Sequence, residues 1–297
     1  MRRIFLFPVL LMALAAMVSC GPRHDPEMPK PDHIVVVIEE NHGLDEIIGS
    51  PYAPYMNKLA NEGLLFTQSH GVIHPSQPNY IALFSGELQG VKADECLKDK
   101  TPFTTPNLGA ALIKAGYTFK GYAETLPSSD FMDCSYQKSD LTGGMLYARK
   151  HVPWVNWIGD KENNMPVSVS QPLTEFPSDF SQLPTVSFVI PNQDDDMHNN
   201  GSDSAMIIRG DQWLQEHLSA YVEWAKTHNS LFILTFDEDS FTPKNQIPTI
   251  FVGQVVKPGK YDSTINHYNV LRTIEDMYSL PASGPAKETP IKGIWNL

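Results

Sequence analysis

Apolar positions in this chain fall in short unbroken runs rather than in single alternation. Ile34-Val-Val-Val-Ile38 stops abruptly at Glu39, Glu40, Asn41 and His42. Such a run reads as a strand buried on both faces of a parallel sheet. Leu231–Phe236 repeats the arrangement and stops at Asp237, Glu238 and Asp239, and Thr185–Ile190 leads into Pro-Asn-Gln-Asp-Asp-Asp-Met-His198. Leu64–Gln68, Tyr117–Ala123 and Thr249–Val252 are further candidate strands. Between them lie helical patterns: Pro54 to Asn61, stopped by Gly63; a helix capped at Thr105 with Pro106 at its first position and Gly116 at its end; Asp211 to Lys226; and Tyr268 to Tyr278 before Pro281. This alternation predicts an α/β fold with a mostly parallel central sheet and helices on both faces. Residues 125–182 are rich in Pro, Ser, Asn and Trp and lack a period. They read as an insertion over one face, a lid or substrate platform in which Trp154 and Trp157 either floor a ligand or pack under the loop.

The N-terminus adds a targeting segment. Arg2 and Arg3 precede an apolar stretch from Ile4 to Val18 that is short for a membrane span. It ends at Val18-Ser-Cys-Gly21, which resembles a bacterial lipoprotein cleavage site, with Met17 where Leu is usual. Residues 1–19 are therefore read as a signal peptide, Cys20 as the lipidated residue and 20–32 as a polar, Pro-rich tether. The single catalytic domain is expected over 33–297. Gly21 rather than Asp after Cys20 favours the outer membrane. Cys96 and Cys134 are expected to form a disulfide in that oxidising compartment. The formal net charge of -12 and the absence of a basic stripe exclude a nucleic-acid backbone as partner.

The strand ends carry the candidate chemistry. Ligand sites in open α/β sheets lie beyond the C-terminal ends of the strands. Asp237 and Glu238 there suit ligation of a hard cation, or an acidic cap. Asp194, Asp195, Asp196 and His198 combine carboxylate with imidazole within one turn. In His74-Pro-Ser-Gln-Pro-Asn-Tyr80 a helix is expected to open near Pro78, which sets the Ser76 hydroxyl beside helix amides, either as a nucleophile or as a cap. His267 precedes another helix and by spacing alone reads as a cap or core residue.

Taken together, these segments resemble the phosphoesterase family of secreted acid phosphatases and bacterial phospholipases C, within the alkaline-phosphatase-like superfamily. The matching pieces are Glu39-Glu-Asn-His42, His74-Pro-Ser-Gln-Pro-Asn79, Tyr147-Ala-Arg-Lys-His-Val-Pro-Trp154, Pro191-Asn-Gln-Asp-Asp-Asp-Met-His198, Phe236-Asp-Glu-Asp239 and the segment His267–Asp276. The resemblance implies that Ser76 is the nucleophile and that Glu40, Asn41, Ser76, Asp237 and Glu238 hold a divalent metal, with Asp196 beside them. It implies that His198 or His267 protonates the leaving group, and that His74, Asn79 and His151 contact substrate. Val152 stands where that family has Asn after the histidine, which weakens a role for His151. An all-oxygen ligand set favours calcium or magnesium, with zinc as the alternative.

The activity so implied is metal-dependent phosphomonoester hydrolysis through a phosphoserine, on phosphoinositides or other small phosphoesters, by a monomer held to the membrane through its lipid anchor. The compact length favours the small acid phosphatases over the longer phospholipases C. A phosphodiesterase of the phospholipase C type, and a non-catalytic metal- or ligand-binding lipoprotein, are the alternatives.

Overall fold

The apolar runs that end in acidic residues lie side by side at the centre of one sheet. Strand β1 (His33–Glu39) pairs in parallel with β8 (Val186–Ile190) on one edge and β9 (Ser230–Phe236) on the other. The computed structural model describes residues 27–199, 201–284 and 288–297. The expected signal peptide, Cys20 and most of the tether lie outside these.

In chain order the remaining elements are α1 (Leu44–Ile47), α2 (Pro54–Glu62), β2 (Leu64–Phe66), β3 (Ser69–His70), α3 (Ser76–Ser85), α4 (Leu108–Lys114), β4 (Phe119–Ala123), β5 (Ser135–Lys138), β6 (Met145–Ala148) and β7 (Ser170–Pro172). After β8 come α5 (Asp203–Ala225), then, beyond β9, β10 (Thr249–Val252), β11 (Gly259–Tyr261), β12 (Ile265–Asn266) and α6 (His267–Met277). The sheet order is β11-β2-β10-β9-β1-β8-β4-β7, and β10 alone runs against the other strands. The α/β class and the mostly parallel sheet are as expected. Among the described residues no helix is long and apolar enough to cross a membrane.

Period-two alternation along β1 divides the core. Ile34, Val36 and Ile38 face the layer of α3, α4 and α6, and Val35 and Val37 face α2 and α5. Continued past the strand, the same alternation sends Glu40 toward α3 and Glu39 to the opposite face. Glu39 is fully buried there, and among the described residues neither carboxylate oxygen has a hydrogen-bond partner.

Three elements differ from the sequence expectation, each for a local reason. Helix α4 is capped by Asn107, whose Oδ1 accepts from the Ala110 amide at 2.9 Å, so Thr105 and Pro106 lie before the helix. Helix α5 starts at Asp203, two turns earlier than expected. Gly210 breaks its helical pattern in sequence, yet a Cβ there would lie 2.5 Å from the Met197 side chain and 3.0 Å from the Asp195 carbonyl. The glycine thus lets α5 press against the turn that carries Asp196. Finally, residues 125–182 hold regular structure. They contribute the β5–β6 hairpin and the edge strand β7. Their Trp154 and Trp157 are buried core residues, anchored by bonds from Nε1 to Ser170 Oγ (3.0 Å) and to Thr105 O (2.9 Å). The Cys96–Cys134 disulfide ties the loop after α3 to this segment, with the two Cα atoms 5.4 Å apart.

Gly121 in β4 lies under the Trp154 indole, which an added Cβ would meet at 2.2 Å. Overpacking of this kind costs about 1–3 kcal/mol. Gly121→Ala is therefore expected to lower the urea midpoint by that equivalent, and an unchanged midpoint would show that Trp154 is free to move.

Candidate active site

The parallel register of β1 and β9 brings their ends level: Glu39 is opposite Phe236, so Glu40 and Asn41 emerge beside Asp237 and Glu238. The Asp237 amide donates to the Glu39 carbonyl at 3.0 Å, and the Asn41 amide donates to Asp237 Oδ1 at 3.0 Å. The chain after β8 joins them, with the Glu40 amide donating to the Asp196 carbonyl at 2.9 Å. Asn41 adopts φ 58°, a left-handed conformation that Asn tolerates better than most residues. Its Nδ2 donates to Glu40 Oε2 at 2.8 Å.

Helix α3 opens directly at Ser76, not at Pro78, with Pro75 as its cap. Ser76 Oγ lies 3.0 Å from Glu40 Oε2 and 3.0 Å from Glu238 Oε1. One turn further along, Tyr80 donates to Glu40 Oε1 at 2.7 Å. The amides at this helix end offer less than the sequence suggested. Pro78 has none, and that of Gln77 donates to Asp94 Oδ1 at 3.0 Å.

Glu40, Asp196, Asp237 and Glu238 are all buried. Burial, followed by mutual repulsion, lifts the Glu40 carboxyl well above its usual range. Asp196 is raised in the same way, and Asp237 is pushed up to about 7 by burial and the Glu238 charge. The cation facing this group is Lys150, whose Nζ bonds Asp94 Oδ2 at 2.6 Å and His198 Nε2 at 3.1 Å. Burial works against its charge, but Glu40, Asp94 and Asp196 together keep it raised. An ammonium has only donors, so His198 Nε2 accepts and the proton of the neutral ring sits on Nδ1. Among the described residues that Nδ1 makes no hydrogen bond of good geometry, with the Asn199 side chain its nearby polar neighbour. Burial and the Lys150 charge bring His198 down to about 4.

The other imidazoles hold the scaffold. His151 stacks on Tyr80 with centroids 5.1 Å apart, bonds Asp196 Oδ2 through Nδ1 at 3.1 Å and brings Nε2 to 3.1 Å from Glu40 Oε1. His74 bonds Glu238 Oε2 at 2.5 Å and the Thr242 carbonyl at 3.1 Å. Burial opposes its charge, yet the Glu238 bond leaves it raised. His267, the first residue of α6, is enclosed, and its Nε2 bonds the Asp237 carbonyl at 2.8 Å. Burial takes it to about 4.

Burial thus shifts both His198 and His267 toward the neutral form. One expectation changes. Asn79 is not free for substrate: Oδ1 accepts from the Val72 and Ile73 amides at 2.8 and 3.1 Å, and Nδ2 donates to the Ile73 and Pro75 carbonyls at 2.6 and 3.2 Å. It fixes the turn that presents Ser76.

Ser76, Asn41, His198 and Glu238 line one cavity of about 400 Å³, together with Asp94, Met197, Met206 and Phe241. Glu40, His151 and His198 each offer a ligand atom within 4.8 Å of the others, an arrangement able to hold a metal ion. Lys150, inside a segment that carries the resemblance, and Tyr80, one residue past another, are not singled out by the sequence. Asp94 had no local signal.

Comparison with known proteins gives the family. A model of the Phosphoesterase family matches residues 50–281. The chain is 47% identical over 271 residues to a phosphatidylinositol-3-phosphatase of Mycobacterium tuberculosis, covering 90% of this chain and 84% of that protein. It is 27% identical over 237 residues to an acid phosphatase of Aspergillus fumigatus, covering 77% of this chain but only 51% of that longer protein. A solved alkaline phosphatase superfamily protein from Vibrio parahaemolyticus shares the fold at TM-score 0.60 and 14% identity, over 88% of this chain and 70% of that one. The chain belongs to the Phosphoesterase family and is an enzyme of the phosphoric ester hydrolase class.

Proposed function

We propose that the protein is a metal-dependent phosphomonoesterase in which Ser76 is the nucleophile. The observation that carries this reading is the placement of the Ser76 hydroxyl 3.0 Å from each of two buried carboxylates. A hydroxyl has one hydrogen and can donate to only one of them. The second contact, in a group of four buried acids facing one paired lysine, requires a proton or a cation. The donor set fits a divalent cation: Glu40, Asn41, Ser76, Asp237 and Glu238 would hold it, with Asp196, His151 and His198 alongside. Oxygen ligands favour calcium or magnesium, and the adjacent imidazoles keep zinc in range. When bound, such an ion lowers the pKa of the serine hydroxyl and offsets charge on the phosphoryl oxygens.

The protein's own groups do the rest. Ser76 passes its proton to Glu40 or Glu238, and its Oγ forms a bond to phosphorus as the phosphorus–ester oxygen bond breaks. The departing oxygen takes up a proton from water at the open mouth of the cavity to leave as the alcohol. His198 Nδ1–H, polarised by Lys150 behind it, donates to a phosphoryl oxygen. Asn79 and Pro75 hold the serine in line. Water then attacks the phosphoserine, releasing phosphate and restoring Ser76. The 47% identity to a phosphatidylinositol-3-phosphatase along most of its length supports a phosphoinositide or similar small monoester as substrate. The Cys96–Cys134 bond supports export, and lipid attachment at Cys20 is proposed with it.

Ser76→Ala is expected to lower kcat on a chromogenic phosphomonoester by at least about a thousandfold while leaving the circular dichroism spectrum unchanged. Retained turnover in that variant would remove the nucleophile assignment.

A second expectation concerns pH. A carboxyl raised by folding keeps its proton where the unfolded chain has lost it. Its stabilising effect is complete below the unfolded value, about 3.9 for Asp, and is lost as pH rises through the folded value, about 7 for Asp237. Chelated protein is therefore expected to melt at a lower temperature at about pH 8 than at about pH 5. A divalent cation competes with those protons, so it should raise Tm more at the higher pH. A Tm indifferent to chelation at both would contradict the metal site.

A further inference from the structure

Phe241 is the largest exposed apolar side chain at the mouth of the active-site cavity. It is 63% exposed and adopts φ 62°, a conformation that bulky residues avoid. The surrounding loop imposes it. The Phe241 amide donates to the Asp239 carbonyl at 2.7 Å, and the Thr242 amide to Asp239 Oδ1 at 2.7 Å. The Thr242 hydroxyl also bonds Asp239 Oδ2, and the Asp239 amide donates to Asn245 Oδ1 at 2.9 Å. The strain is thus held by a fixed loop and used to stand a ring at the cavity edge.

One side of that ring is already covered. It stacks on the His74 imidazole with centroids 4.8 Å apart and planes 16° apart, and His74 is itself fixed by Glu238 and Thr242. The rest of the ring borders the same cavity as Ser76. Met197 and Met206 line that cavity too, while Glu46, Asp94 and Asp203 supply acidic groups. An uncharged alcohol offers those acids no ion pair, whereas stacking on a rigid aromatic gives it a grip.

We infer that Phe241 is the specificity-determining residue of this site and selects phosphomonoesters whose alcohol is a ring, such as a cyclitol or sugar that presents a flat C–H face. The inference rests on the phosphomonoesterase reading above. Phe241 acts on substrate binding, not on the phosphoryl transfer itself.

The test compares kcat/KM for myo-inositol 3-phosphate with that for glycerol 3-phosphate, which has an open-chain alcohol. The ratio is expected to fall roughly tenfold in Phe241→Ala, the equivalent of one aromatic stacking contact, chiefly through KM. Phe241→Trp should restore it. Phe241→Leu, which keeps apolar cover on His74 without a ring face, should not. An unchanged ratio in Phe241→Ala, or full restoration by Phe241→Leu, overturns the inference and leaves the phosphatase reading intact. If the unaltered enzyme cleaves neither ester nor a chromogenic monoester, the phosphatase reading fails and the inference with it.

Discussion

The structure turns on one serine hydroxyl held between two carboxylates that cannot both accept its hydrogen. Glu40 and Glu238 each stand 3.0 Å from Ser76 Oγ, and each is fully buried. Placing like charges together away from water is unfavourable unless something compensates. Much of the surrounding architecture serves to keep them there. Tyr80 and Asn41 bond Glu40, His74 bonds Glu238, and the level ends of β1 and β9 leave neither carboxylate room to withdraw. Buried acids without enough cations make a protein part with local stability for binding capacity, as functional sites commonly do.

A division of labour among the histidines follows from the same constraint. Five imidazoles approach the cluster; His42 bonds the Glu40 carbonyl at 2.9 Å, and the surroundings of the other four set different tasks. His74, partly exposed, is raised above the ordinary histidine value by its bond to Glu238, against the opposing effect of burial. His151, sealed against Tyr80 and near Lys150, is held well below its usual range. His198 takes a bond from Lys150, and its Nδ1 makes no well-formed bond among the described residues. His267 bonds a backbone carbonyl. Residue type alone would make all four candidates for acid catalysis, and it is the partner of each ring that separates them.

Much of this was legible in the chain. The apolar runs at Ile34 and Leu231 are buried parallel strands because unbroken β-branched and aromatic runs suit a sheet covered on both faces. Their acidic ends had to converge once the strands paired in register. Ser76 was legible for the same reason, as a turn before a helix facing those ends. The roles of Asn79 and the tryptophans were not. Whether Asn79 has a free hydrogen-bonding group depends on the path of residues 72–75, which sequence does not give. Trp154 and Trp157 sit in 3₁₀ turns within an aperiodic segment, so no pattern distinguished core from platform. Lys150 reaches the site from a short 3₁₀ turn and Asp94 from a loop, where spacing carries no geometry. The start of α5 was hidden by Gly210, a residue present for close approach and not for helix propensity.

The central claim, that Ser76 takes the phosphoryl group before water does, is tested most directly by the stereochemistry at phosphorus. A phosphomonoester made chiral with oxygen isotopes is cleaved by the enzyme in the presence of an acceptor alcohol, and the configuration of the transferred phosphoryl group is read. Two in-line displacements through a phosphoserine predict overall retention. Overall inversion would mean that a single attack carries the reaction and that Ser76 is not the nucleophile.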